Sequence, residues 1–361
     1  FVKNPSSIAP GAGDPRFTTL LGVARELQRR NHTVLVETAA GLSIRPWMAK
    51  RELQGFEWLN ERTLAQHGSP DLTVSWWSYF DDRGTRRNRQ VSEILRSSAT
   101  VKLHYENGMA RGAVTLDPKG FLGNSFYVSS LNERVQHGYD ERACHAHIHD
   151  HLQHDSSKRP QSRVVDLPQS ILSRYVFIPT QKFDDVSVLQ YSRITYPALL
   201  ENTTSFCAAH GLPLVVKIHP HLVGGARASQ EALIRRLQQR HRDVFISRAS
   251  INFLTTNALF TVTLNGGTLM DSFYTTTPVL SLAQGFFSQT EALISEGNAL
   301  RGMRRMVKKE LPWPEARKRR QRQVVCWYDR MCLKTSNSPH QNIGVLQSHV
   351  DALQLARHLV L

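Results

Sequence analysis

Short apolar runs that end in polar or glycine-containing turns recur along this chain, alternating with stretches whose apolar residues follow helical spacing. Residues 17–30 carry such spacing, Asn31-His32 breaks it, and Thr33-Val34-Leu35-Val36-Glu37 reads as a short buried strand. Residues 71–77 and 99–105 are further strands, with a helical stretch at 91–96 between them. From 136 to 174 the texture turns polar and rich in His and Ser, with Pro160 and Pro168, and reads as an interdomain connection. A second series follows: a strand at 175–179, a helix at 191–210 closed by Gly211, a strand at 214–219, a helix at 230–239, and strands at 244–247, 259–264 and 278–282.

This alternation implies parallel sheets covered on both faces. The fold class it predicts is α/β, with two Rossmann-like domains facing across a cleft. The boundaries it suggests are 1–165, 166–310 and a C-terminal set of helices at 311–361 that packs back across the domains.

A length of 361 residues with 40% hydrophobic content is enough for two cores of ordinary size and excludes overall disorder. The net charge of +15 is unevenly spread: Arg301 to Arg322 holds ten basic residues against Glu310 and Glu315. Such a segment reads either as a solvated helix face or as a surface for an anionic membrane or polymer. Cys144, Cys207, Cys326 and Cys332 form no CxxC pair and no dense framework, which suggests a reducing compartment. No apolar run reaches transmembrane length, so membrane contact is expected to be peripheral.

The strand ending in Leu214-Val215-Val216 leads into Lys217-Ile218-His219-Pro220. Ligands of open α/β sheets collect outside the carboxyl ends of strands, and Pro220 forces the chain out of the sheet there, so a cation and an imidazole stand at the rim. Phosphate is the guest this chemistry suits. Glu106-Asn107-Gly108 follows the strand ending at Tyr105, which puts a carboxylate at another rim. Glu106 can act as a general base with Arg111 tuning it or binding an acidic group; equally, the two can simply pair across a turn.

Gln181-Lys182-Phe183-Asp184-Asp185-Val186-Ser187 leaves the first strand of the second series. Its acids can serve as nucleophile or base, and Asp185 or Ser187 can instead cap the helix that follows. Asn265-Gly266-Gly267-Thr268 is a glycine turn between a strand and a helix, able to cradle a phosphate, and Asp271 lies one turn further on. His145, His147, His149, His151 and His154 include i, i+4 pairs but have no carboxylate or Cys at a ligand spacing, so no metal is expected.

Taken in order, Glu106-Asn107-Gly108-Met109-Ala110-Arg111, the Gln181–Ser187 run, Lys217-Ile218-His219-Pro220 and Asn265-Gly266-Gly267-Thr268 with Pro278-Val279 resemble the motif series of the capsule polysaccharide biosynthesis family, which includes bacterial Kdo transferases. The resemblance covers roughly residues 70 to 295. Asn265 stands where Ser is commoner, Asp271 where Glu is usual, and Ala110-Arg111-Gly112 where a bulkier Leu-Arg-Ser or Leu-Arg-Pro is found.

The resemblance implies a GT-B-type glycosyltransferase with an N-terminal acceptor domain and a C-terminal nucleotide-sugar domain. CMP-Kdo is the donor it implies and a capsule-like polysaccharide or glycolipid the acceptor, with no other cofactor. On it, Glu106, Asp185 and His219 are catalytic, while Arg111, Gln181, Ser187, Lys217, Pro220, Asn265, Gly266, Gly267, Thr268 and Asp271 bind the nucleotide or substrate. An acid-x-Gly motif with a later His-Pro is also similar to bacterial GT-B sialyltransferases, where Glu106 would be the base of a single inverting displacement; a UDP-sugar enzyme of the same fold is a further alternative. A cytoplasmic location is expected, with any membrane contact peripheral and at the inner face, and no nucleic acid partner is expected. The alternative of another class is a non-catalytic glycan- or polyanion-binding protein whose basic face does the binding.

Overall fold

The computed structural model describes residues 15–36, 57–58, 66, 72–75, 101–109, 112–120, 122–155, 157, 161–162, 164–183, 185–220 and 222–358. Arg111, Asp184 and the helix expected at 91–96 lie outside the described residues. In chain order the strands are β1 (Leu35–Val36), β2 (Glu57–Trp58), β3 (Leu72–Ser75), β4 (Val101–Asn107), β5 (Ala113–Asp117), β6 (Tyr175–Pro179), β7 (Leu214–Lys217), β8 (Val244–Ile246), β9 (Ala258–Thr263), β10 (Val279–Ser281), β11 (Ile294–Ser295) and β12 (Cys332–Lys334). The chain divides into two compact units, one of residues 1–108, 112–126 and 330–361, the other of 109–111 and 127–329. The boundary expected at 165 therefore differs from that of the structure, and the C-terminal segment is split between the units.

In the second unit six strands lie in the order β11-β10-β9-β6-β7-β8, and every neighbouring pair is parallel. Counted within the unit, β6 is its first strand and β9 its fourth, which is the doubly wound order with its reversal between β6 and β9. The apolar runs explain this placement. Val176 and Ile178 of β6 join one core with Leu199, Leu200, Ile234 and Leu237, whereas Tyr175 and Phe177 join another with Leu167, Ile171 and Leu254. A strand buried on both faces by alternation has no polar side to show, so it reads as a continuous apolar run.

The helix expected at 191–210 spans Tyr196–Ala209, and a separate short helix, Val186–Tyr191, precedes it. Pro197 supplies no N–H and favours the first turn of a helix, and the Thr195 side chain caps the longer one by accepting from the Ala198 N–H. The helix expected at 230–239 begins earlier and spans Gly224–Arg240.

The first unit holds the β1–β2 parallel pair and a sheet in the order β12-β5-β4-β3. Only β3–β4 is parallel there; β5 runs antiparallel to β4, and β12 antiparallel to β5. The cause of this departure from an all-parallel sheet is the turn after β4. The Gly108 N–H donates to the Ala113 carbonyl, a Cβ on Gly108 would come within 2.6 Å of that of Ala113, and Gly112 has φ +68°. So short a turn makes a hairpin, since a parallel return needs a long crossover. Leu103 and Tyr105 of β4 pack with Val114, Leu116 and Leu333 and with Leu20, Val23, Ile343 and Leu346 of the helices Pro15–Arg29 and Pro339–His358.

The His-rich segment read as a connection contains the helix Glu141–Gln153, started by Asp140, whose carboxylate accepts from the Ala143 N–H at 3.0 Å. The helix is packed: the His151 ring stacks on Tyr274 with centroids 3.5 Å apart, and His147 Nε2 lies 3.1 Å from the Tyr274 hydroxyl. Cys144 is disulfide-bonded to Cys326 of the helix Glu315–Arg330, 182 residues away. The other two cysteines, Cys207 and Cys332, are free and buried. A structural disulfide persists in oxidising surroundings, so the pairing runs against a reducing compartment.

Candidate functional site

Ligands of open α/β sheets bind at the carboxyl ends of strands where the strand order reverses. At this reversal the exits of β6 and β9 bring together Gln181 and Gly266, two residues the sequence put in separate motifs. A Cβ on Gly266 would lie 3.0 Å from Gln181 Cδ and 3.1 Å from its Nε2, so the missing side chain is what lets the carboxamide lie against the turn. Asn265 beside it is buried, and its Nδ2 donates to the Gln284 carbonyl at 3.3 Å, tying the β9 exit to the chain beyond β10. Gly267 precedes the helix Thr268–Tyr274, and Asp271 lies half-buried in its first turn.

Beneath Gln181 lies Tyr196, fully buried at the start of its helix. Its hydroxyl donates to the Pro179 carbonyl at 2.8 Å and stands 3.3 Å from Gln181 Oε1. Burial pushes the Tyr196 hydroxyl well above its ordinary pKa, and the nearby Asp185 carboxylate adds to the rise. The Phe183 ring stacks over Tyr196 at 5.8 Å. Asp185 is half-buried, and its backbone carbonyl accepts the first helical bond of Val186–Tyr191, from Leu189. It thus occupies the N-cap position that the sequence offered as one of its two readings. Ser187 lies in the first turn of that helix.

The β6 and β7 exits are joined by three polar groups. The His219 N–H donates to Thr180 Oγ1 at 2.9 Å, the Thr180 hydroxyl donates to Gln230 Oε1 at 2.7 Å, and Gln230 Nε2 donates to the Gln181 carbonyl at 2.7 Å. Thr180 and Gln230 are both buried. Sequence reading missed them and Tyr196. The signal for Gln230 was present: it shares the buried stripe of its helix with Leu233, Ile234 and Leu237, at the 3, 4, 7 spacing of a core face.

Lys217 is directed along the sheet. Its ammonium donates to the Ala249 carbonyl at 2.6 Å and the Arg248 carbonyl at 3.3 Å, beyond the β8 exit. Burial lowers its pKa, while the carboxylates of Asp166, Asp155 and Asp271 act to raise it. Lys217 is therefore a brace between the β7 and β8 exits that also adds positive charge near Asp271. His219 is half-buried next to it, and Pro220 is exposed.

Glu106 belongs to the first unit, whereas Asp185, His219 and the glycine turn belong to the second. It lies within β4, which runs to Asn107, two pairs along from His104: Glu106 faces Thr115 across the hairpin and His104 faces Asp117. Asp117 ends β5 and is buried. It accepts from the N–H groups of Lys119 and Gly120 at 2.8 Å and of Phe126 at 3.0 Å, and from the Ser125 hydroxyl. Burial outweighs those donors and pushes its pKa up to about 6.

Six of the ten basic residues from Arg301 to Arg322 are ion-paired: Arg301 with Glu296, Arg305 and Arg317 with Glu310, Lys318 and Arg322 with Glu315, and Arg320 with Glu291. Arg304, Lys308, Lys309 and Arg319 are exposed and make no ion pair among the described residues. No helix among the described residues is long and apolar enough to cross a membrane.

No protein-family model matches the chain, and no curated protein shows significant similarity to it. Among solved structures it is similar to the KpsC β-Kdo 2,7-transferase of Thermosulfurimonas dismutans, at 15% identity and TM-score 0.48, over 81% of this chain and 89% of that one. It is similar also to a UDP-GlcNAc 2-epimerase of Methanocaldococcus jannaschii, at 12% identity and TM-score 0.37 over 85% and 95% of the two chains. CalG4, the calicheamicin glycosyltransferase, matches at 12% identity and TM-score 0.38 over 92% and 95%. The α/β, doubly wound assignment of the second unit rests on the chain's own sheet order.

Proposed function

We propose that the protein is a glycosyltransferase that takes a sugar from a nucleotide donor held at the carboxyl ends of β6, β7 and β9. The observation that carries this reading is the Gln181 carboxamide laid against Gly266 at the reversal of strand order, where such sheets take their nucleotides. The motif resemblance favours CMP-Kdo as the donor and a polysaccharide or glycolipid as the acceptor.

Within this reading Gln181, Asn265, Gly266, Gly267 and Thr268 line the nucleotide pocket, and Asp271 reaches the ribose. His219 faces the phosphate, with Lys217 contributing charge through its brace. The leaving phosphate is stabilised by protein donors rather than a metal ion. Asp185 is the nucleophile of a double displacement, and Glu106, with Arg111, is the acid or base. The four basic side chains Arg304, Lys308, Lys309 and Arg319 serve an anionic acceptor or membrane surface.

The experiment is a thermal-shift series with CMP, UDP, GDP and ADP, because a ligand of the folded state raises the melting temperature by mass action. Stabilisation by CMP supports the proposed donor. Stabilisation by UDP alone keeps the transferase and replaces the donor, and no response to any of the four sinks the nucleotide-sugar reading.

A further inference from the structure

A glutamine in the apolar stripe of a helix needs a reason, because an amide moved from water into a core is costly unless its hydrogen bonds are met there. Gln230 is 1% exposed and shares its face with Leu233, Ile234 and Leu237. A leucine there would extend that core without any polar obligation. What the glutamine does instead is touch two strand exits at once.

Its Oε1 accepts from the Thr180 hydroxyl at 2.7 Å, which fixes where that proton points. With the proton committed, the Thr180 oxygen presents lone pairs, and the His219 N–H donates to it at 2.9 Å. The Gln230 Nε2 donates to the Gln181 carbonyl at 2.7 Å. The directions are mutually required. If the amide were turned over, the Thr180 proton would lose its acceptor and the Gln181 carbonyl its donor, since an Nε2 cannot accept from Thr180 and an Oε1 cannot donate to Gln181.

We propose that Gln230, acting through Thr180, is the positioning residue of the nucleotide site: it sets the separation between Gln181 on the β6 exit and His219 on the β7 exit. This rests on the nucleotide-donor reading above. Neither Gln230 nor Thr180 is assigned to touch the donor. Their effect is to hold the backbone at two contact residues in one relative geometry: Gln230 lies in the helix Gly224–Arg240, and Thr180 directly follows β6. Hydrogen-bonded support of this sort matters because a misplacement of about 1 Å at a reacting group can cost ~100-fold in rate.

The test compares wild type with Thr180→Val, Thr180→Ser, Gln230→Met and Gln230→Glu. Binding of CMP and UDP is measured by calorimetry, and melting temperature is measured on the same samples. Thr180→Val keeps the shape and removes the hydroxyl; Thr180→Ser keeps the hydroxyl. The expected result is nucleotide affinity lower by ~10-fold or more in Thr180→Val and Gln230→Met, restored to within about threefold of wild type in Thr180→Ser. Gln230→Glu retains an acceptor for Thr180 but loses the donor to Gln181, and it is expected to bind as weakly as Gln230→Met.

A purely structural role would lower the melting temperature without separating Ser from Val in affinity, and that outcome overturns the proposal. So does wild-type affinity in a folded Thr180→Val, which removes the positioning role while leaving the nucleotide reading intact. A wild-type protein that binds neither nucleotide removes the reading and the positioning role together.

Discussion

Gln181 and Gly266 meet where β6 and β9 leave the sheet, and the carboxamide comes so close that a methyl group on Gly266 would stand 3.0 Å from Gln181 Cδ. The contact depends on the absence of a side chain at one partner and on the flexibility of the other. Tyr196, with its hydroxyl 3.3 Å from Gln181 Oε1, supports the amide from below.

Gly266→Ala is therefore expected to displace the Gln181 amide at little cost in stability, within about 1 kcal/mol, because the neighbour that must give is the end of a flexible side chain. Nucleotide affinity is expected to fall by ~10-fold. Calorimetry and a melting curve on one sample check this; unaltered affinity removes Gln181 from the site.

Glu106→Gln and His219→Ala are expected to abolish transfer, with melting temperatures close to wild type, since both side chains are half-buried at sheet margins rather than in the cores. Product formation from CMP-Kdo is the readout. Full activity in either variant ends that residue's assignment.

Asp117 gives the first unit a pH dependence with a definite sign. Its pKa rises from an ordinary 3.8 to about 6 on folding, so its stabilising contribution is fully present below 3.8 and is lost as pH rises through about 6. The ionised, buried carboxylate then costs about 3 kcal/mol at pH 7. Asp117→Asn keeps one oxygen for the three backbone donors and lets its amide donate to Ser125 instead. It is expected to raise the melting temperature at pH 7 and to lose the wild-type gain on acidification from about pH 6 to 4. A melting temperature below wild type at pH 7 would falsify this.

His349 opposes it. Buried with its Nε2 2.9 Å from the Met331 carbonyl, it has a pKa lowered from 6.5 to about 4 by desolvation. Its contribution is present above pH 6.5 and is lost as pH falls through about 4. His349→Gln, which can still donate to Met331, is expected to remove about 3 kcal/mol of acid sensitivity. Urea unfolding at pH 4.5 and 7 measures it, and an unchanged difference between the two pH values counts against a neutral buried imidazole.

The Cys144–Cys326 bridge closes a loop of 182 residues, for which the chain-entropy account allows a stabilisation of up to about 5 kcal/mol. Cys326→Ser, or reduction of the wild type, is expected to lower the melting temperature clearly. Intact mass before and after reduction shows whether the bridge forms; an oxidised protein whose reduction leaves melting unchanged would show that it contributes nothing.

Much of the second unit was legible because its strands are buried on both sides. Val176 and Ile178 face one core and Tyr175 and Phe177 the other, so the run from 175 to 179 had to be apolar throughout. The same holds at 214–216, and the polar residues just beyond each run then mark the strand exits where a site can stand. The sequence by itself thus determined the α/β class, the central strands and the three polar stretches that leave β6, β7 and β9. Tertiary structure alone decided which exits meet. Strand order joins Gln181 to Gly266, one buried helix face places Gln230 under Thr180, and the Lys217 ammonium is drawn to the carbonyls beyond β8 rather than left at the rim. It also decided the antiparallel return after Gly108 and the pairing of Cys144 with Cys326. The physical reason is range: periodicity and turn chemistry are set by neighbours along the chain, whereas hydrogen bonds, close approaches and cross-links between strand ends depend on which distant segments packing brings side by side.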